Sequence, residues 1–187
     1  MLKLCINGRF SAVVGETAST QIEYGVFSSI VIKENHLYAA QCQKKEMHIF
    51  SYGADGWKKV RKFPLGYHDS HYYISVAVKG DRITCCSYSF NEIQVYSLTG
   101  KRLESYTTRN QMVTTQLGCP FICTSDSDGC VLLADSASHR LQVMSERGEF
   151  KSLQLQPQMT SPCSAALLLD DLYVASGGKV VRKYTRV

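Results

Sequence analysis

The stretch VLLADSASHRLQVMSERGEF, Val131 to Phe150, decides how the chain is read. It opens on the apolar run Val131-Leu132-Leu133-Ala134, crosses a short polar loop and resumes at Leu141-Gln142-Val143-Met144, 10 residues after the first run began. Gly148 follows, and a third run starts at Phe150. Short apolar runs broken by polar or glycine-bearing turns predict antiparallel hairpins.

Upstream and downstream the same pattern recurs. Leu37-Tyr38-Ala39-Ala40 leads to Met47-His48-Ile49-Phe50, and Ile83-Thr84-Cys85-Cys86 leads to Ile93-Gln94-Val95-Tyr96, each after 10 residues. Leu172-Tyr173-Val174-Ala175 leads to Val181-Arg182-Lys183-Tyr184 after 9. An earlier apolar segment precedes each pair: Ile30-Val31-Ile32, Ile74-Ser75-Val76, Phe121-Ile122-Cys123 and Ala166-Leu167-Leu168. Turns such as Lys79-Gly80-Asp81, Ser127-Asp128-Gly129 and Asp170-Asp171 join these segments to the pairs. Glycine turns after the first three pairs lead into last strands beginning at Trp57, Leu103 and Phe150.

The unit is therefore four antiparallel strands, A to D. Met47, Ile93, Leu141 and Val181 recur at intervals of 46, 48 and 40 residues. A four-strand unit at that period predicts an all-β chain, a β-propeller of four-stranded antiparallel blades, about four of them. A sandwich or an open barrel also uses short strands but does not explain the fixed period. The blades are placed at 27–63, 72–108 and 119–155, with an incomplete last blade at 162–187. Strands B are expected at 37–42, 82–88, 130–134 and 172–176. Leu2-Lys3-Leu4-Cys5, 45 residues before Met47, and Phe10 to Val14 read as strands C and D of a preceding blade, 1–14. The chain 1–187 is expected to be one propeller segment, either a fragment of a larger ring or a chain whose N-terminal strand closes the last blade.

Composition agrees with this. Hydrophobic residues make up 44% and charged residues 20%, with 11 Tyr and 7 Phe, a bias that suits strands. No apolar run reaches the ~18 residues of a membrane span, so no membrane partner is expected. The 8 cysteines include no C-x-x-C pair and sit largely inside strand patterns. They are expected to be reduced, with Cys42, Cys85 or Cys86, Cys123 and Cys130 mostly buried, in a cytoplasmic protein. A net charge of +5 permits an anionic partner without requiring one.

Residues Val131 to Phe150 closely resemble an NHL repeat. That family's pattern is a strand ending Ala-Asp, a loop ending Asn-His-Arg, an Ile-Gln-Val-Phe strand, then Gly and Phe. The matching residues are Ala134-Asp135, Ser138-His139-Arg140, Leu141 to Met144, Gly148 and Phe150, with Ser138 in place of the usual Asn. The second repeat keeps EIQVYSLTGKRL, Glu92 to Leu103; the first and fourth keep only the apolar frame. Degenerate propellers of this kind are similar to the C-terminal, target-selecting domains of tripartite-motif ubiquitin ligases, whose rings usually have six blades, so the resemblance implies that this chain is part of a six-bladed ring. The resemblance implies a non-catalytic recognition module for a protein or peptide. Any ligase activity would need a RING domain, of which this sequence has no pattern.

Recognition is expected on the face formed by the B–C and D–A loops, because strands spend their side chains on packing. The cations there are Lys44, Lys45, Arg109, Arg140 and Lys179; the rings are Tyr67, His71, Tyr72, Tyr88 and Phe90. Cations interleaved with aromatics also suit single-stranded RNA, the alternative partner. Asp135, His139 and Arg140 have a structural reading as well, as hairpin caps and loop hydrogen-bond residues. A metal-dependent, lactonase-like enzyme is the second alternative. Its acidic candidates, Asp126, Asp128, Asp170 and Asp171, are fully explained as turn residues. His68 and His71 around Asp69 lack a third ligand at familiar spacing. No nucleophile motif such as G-x-S-x-G occurs. The expectation is no enzyme, no cofactor, no bound metal and no small-molecule substrate.

Overall fold

The computed structural model describes residues 10–13, 19–22, 27–67, 73–87, 91–107, 117–125, 129–168, 171–177 and 180–185. Every helix or strand among them is a strand. The first sheet of the repeat contains β3 (Phe27–Lys33), β4 (His36–Gln41), β5 (Glu46–Gly53) and β6 (Gly56–Pro64), preceded by a hairpin of β1 (Phe10–Val13) and β2 (Ser19–Ile22). The second contains β7 (Ile74–Lys79), β8 (Arg82–Ser87), β9 (Glu92–Ser97) and β10 (Arg102–Thr107). The third contains β11 (Pro120–Ser125), β12 (Val131–Asp135), β13 (Arg140–Met144) and β14 (Phe150–Leu153). The fourth has β15 (Pro162–Leu168), β16 (Asp171–Ser176) and β17 (Val180–Thr185). Each sheet pairs its strands in chain order and antiparallel.

The strand offset becomes a register. Leu37 faces Phe50, Ile83 faces Tyr96 and Val131 faces Met144, so the first residue of each B run lies opposite the last of its C run. In the fourth sheet Ser176 faces Val180 across three intervening residues, where the others have four; this is why its offset is one shorter. Strands β4, β8 and β12 are buried almost throughout. Covered on both faces, they read as unbroken apolar runs rather than alternating ones. The outer strand β6 is exposed over most of its length.

At the N-terminus the structure adds a strand that the repeat did not predict. Phe10–Val13 pairs with Ser19–Ile22, a segment with a single strongly apolar residue, Ile22. The expected strand at residues 2–5 lies outside the described residues.

The chain forms two compact units, Met1–Tyr72 and Tyr73–Val187. In the first, Leu37, Ala39 and Phe50 pack with Phe27, Ile30 and Trp57. In the second, Ala77, Cys86 and Ile93 of the second sheet pack with Ile122, Leu133 and Met144 of the third. The other face of the third sheet presents Leu132, Ala134 and Leu141 to Ala165 and Val174 of the fourth. Truncating a fully buried leucine such as Leu133 to alanine costs about 2–5 kcal/mol in such a core. Two further bonds tie the second and third sheets: Ile122 N–H donates to Ser75 Oγ at 2.8 Å, and Cys86 Sγ donates to the Pro120 carbonyl at 3.3 Å.

The seven described cysteines are free thiols. Cys85 and Cys86 are fully buried. Cys42, Cys123 and Cys130 are only half-buried, less than expected, and Cys163 is exposed. For Cys123 the reason is a β-bulge: it is the extra residue between the paired Ile122 and Thr124, and Cys163 occupies the matching bulge in the fourth sheet.

Candidate functional site

Each four-residue B–C loop ends in a left-handed residue: Lys45 (φ 53°), Asn91 (φ 49°) and His139 (φ 53°). Asn tolerates this conformation best; a lysine or histidine holds it at some cost, which the surrounding contacts must offset. In the second unit those side chains do a specific job. Asn91 Oδ1 accepts the backbone N–H of Cys119 at 2.7 Å, and His139 Nδ1 accepts that of Ser161 at 2.9 Å. Cys119 (φ 58°) and Ser161 (φ 47°) are left-handed too, and each immediately precedes the proline that opens the next A strand. Two strained residues are thus latched together where one sheet hands over to the next.

Each sheet also buries polar residues at corresponding positions. The last residues of the B strands, Gln41, Ser87, Asp135 and Ser176, are all buried. Asp135 is the best connected. Its Oδ1 accepts Gly118 N–H at 2.8 Å, and its Oδ2 accepts from Gln142 Nε2 at 2.8 Å and Arg140 Nε at 3.2 Å. The approach is close enough that a Cβ on Gly118 would sit 2.9 Å from Ser138 Oγ and 3.1 Å from Ala137 Cβ. The third residues of strands C repeat the theme: His48, Gln94 and Gln142 are buried. His48 Nε2 meets Glu46 Oε2 at 3.0 Å, and Lys62 donates to Glu46 Oε1 at 2.9 Å. Burial pushes the His48 imidazole below its ordinary value, partly offset by Glu46, while the Lys62 ammonium holds Glu46 below the usual carboxylate range. In the second sheet the Tyr96 hydroxyl donates to Gln94 Oε1. Met144 stands at the corresponding place in the third, and Gln142 Oε1 has no hydrogen-bond partner.

His139 also lines a basin of about 370 Å³ formed by the third sheet and the segment that follows it. Its walls are the B–C loop with Ser138, His139 and Arg140, the end of β14, and the D–A segment carrying Gln154, Gln156 and Gln158. Its apolar lining is Leu141, Leu153, Leu155 and Met159. Because Nδ1 accepts the Ser161 N–H, the neutral ring carries its proton on Nε2, which makes that atom a donor. The opposite loop face has a smaller cleft of about 160 Å³, beside Lys79, Gly80 and Arg82, where Arg82 is paired with Glu104 at 2.7 Å.

Of the residues expected to meet a partner, Lys44 is exposed, and Arg140 lines the basin while bonded to Asp135. Lys45 is half-buried, and its carbonyl accepts Leu65 N–H at 2.6 Å. Tyr67 is corrected: it is only 5% exposed, so its ring packs inside and offers no surface contact. His71, Tyr72, Tyr88, Phe90, Arg109 and Lys179 lie outside the described residues, as do His68, Asp69, Asp126, Asp128 and Asp170. Asp171 is held by Lys183 at 2.7 Å and Thr185 at 2.9 Å. Sequence reasoning missed Ser161 and the three glutamines. The one signal for Ser161 was the residue-proline step that Cys119-Pro120 and Ser161-Pro162 share.

No protein-family model matches the chain, and no curated protein does either. Solved structures share its fold. The WD40 β-propeller domain of Doa1 is 15% identical, with a TM-score of 0.70 over 96% of this chain and 58% of its own. A streptogramin B lyase is 13% identical, with a TM-score of 0.67 over 96% of this chain and 62% of its own. Virginiamycin B lyase from Staphylococcus aureus is 13% identical, with a TM-score of 0.59 over 86% of this chain and 55% of its own. The chain therefore spans little more than half the length of these structures. It is a β-propeller of about four blades. The expectation that such a chain is no enzyme is corrected, because virginiamycin B lyase is a lyase on the same fold. Strand repeats build the frame, and chemistry depends on the loop side chains grafted on it.

Proposed function

We propose that the chain recognises a protein or peptide partner through the face formed by its B–C and D–A loops. The observation that carries this reading is the basin of about 370 Å³ on that face, lined by His139, whose ring is latched by the Ser161 N–H. A site whose walls are fixed before binding loses less freedom when a partner arrives. The NHL-like residues of the third repeat support a target-selecting role of the kind played by propellers of tripartite-motif ligases. Free thiols support a reducing, cytoplasmic setting.

A photo-crosslinking residue at Ser138, in the protein in cells, tests the reading. Protein adducts that survive RNase are expected. Adducts lost on RNase treatment would replace it with RNA recognition, and the same adducts formed by a probe on the opposite face at Lys79 would remove the site.

A further inference from the structure

We propose that the basin formed by the third sheet and the segment that follows it takes an extended, uncharged peptide segment, held by its main-chain amides, with one apolar side chain seated in it. This rests on the partner-recognition reading above and narrows it to a ligand class.

Charge comes first. Among the described residues lining the basin, the one permanent charge is Arg140, and its partner Asp135 sits at 3.2 Å. No carboxylate joins the described lining. A phosphate or carboxylate ligand needs uncompensated cations, and a basic ligand needs acids; the described lining offers no acid, and the neighbouring Arg182 is turned to the Gln158 carbonyl at 3.1 Å. Ring chemistry comes second. No Phe, Tyr or Trp is among the described lining residues. Nucleic-acid bases are held by stacking on such rings, on His or on Arg guanidinium planes; among the described lining residues that leaves His139 and Arg140, each already held by a hydrogen bond to Ser161 or Asp135.

What the basin does offer is amides. Gln154, Gln156 and Gln158 are exposed, and each side chain carries both a donor and an acceptor. A peptide group is likewise donor and acceptor, so a glutamine can meet it with paired bonds. The His139 Nε2–H adds a donor whose position is fixed by the latch on Nδ1. Leu153 and Leu155, both half-buried, supply an apolar wall for one side chain. The complementary ligand is therefore a neutral extended segment with a single aliphatic anchor.

The test is selection from a phage-displayed library of random nonapeptides, using the full chain and its Gln154→Ala/Gln156→Ala double variant, both checked by thermal melting. Both glutamines are exposed, so the variant is expected to melt as the parent does. Enriched peptides should carry no net charge and one Leu, Ile or Met. Their affinity should fall about ten-fold or more in the double variant, the size of one or two lost hydrogen bonds. Enrichment of acidic or basic peptides, or of peptides indifferent to the glutamines, overturns the proposal, and so does a failure to enrich any peptide. In each of these failures, RNase-resistant crosslinks from Ser138 would still stand, so the broader reading is judged separately.

Discussion

His139 Nδ1 accepts the backbone N–H of Ser161 at 2.9 Å although the two residues are 22 apart in sequence, and both hold left-handed backbones. The bond does two things. It satisfies an N–H at the entrance to the fourth sheet, and it fixes the imidazole against the basin wall. The second sheet does the same with Asn91 and Cys119, 28 residues apart, using an amide oxygen.

The equivalence predicts a swap. His139→Asn should keep an acceptor for Ser161 and ease the left-handed strain, so its melting temperature should equal or exceed that of the parent. His139→Ala removes the acceptor and should cost about 1 kcal/mol, a drop of about 2–4 °C for a chain this size. Equal melting of the parent and the alanine variant would mean that the latch contributes nothing to stability.

Asp135 should be the most sensitive polar position of the third sheet. It is fully buried and accepts three hydrogen bonds. Asp135→Ala strands Gly118 N–H, Gln142 and Arg140 together, at about 3 kcal/mol or more. Asp135→Asn should cost less. A turned Gln142 amide can then receive a bond on Oε1, which has no partner now. Denaturant midpoints for the two variants should separate in that order.

Stability should decline on mild acidification because of His48. Its folded value lies below the ordinary 6.5, mainly through burial. The unfolded chain therefore binds its proton first, and stability present above that value is lost as the pH falls through the lowered one. Glu46 titrates lower still and acts in a more acidic window. His48→Gln, which copies Gln94 and Gln142, should flatten the slope between about pH 7 and pH 5. Denaturant melts across that range decide it; an unchanged slope would remove His48 as the cause.

Thiol labelling of the native protein should follow burial. Cys163 is exposed and should react first among the described cysteines. Burial pushes Cys123 up to about 11, and it pushes Cys85 and Cys86 higher still. Those two should label only on unfolding. Mass spectrometry of timed alkylation reads the order, and early modification of Cys85 or Cys86 would contradict the packing described here.

The frame was legible because strands β4, β8 and β12 are covered on both faces, so their apolar runs stand out at a constant spacing from the strands that follow. Glycine turns marked the outer strands, whose own side chains are mostly solvated and say little: β6 was found from Gly53 and Gly56 rather than from its lysines. The hairpin partner Ser19–Ile22 left no such trace. Tyr67 read as a surface ring because a ring in a polar loop looks the same in sequence whether it turns outward or inward.

What the sequence by itself determined is the repeat: four antiparallel units, their order and their register, because strand period and turn chemistry are local properties. What only the tertiary structure decided is the site. The pairing of His139 with Ser161, the Asp135 hub and the glutamine-lined basin bring together residues from different sheets and loops. No spacing rule encodes such meetings, because they depend on how the third sheet packs against its neighbours.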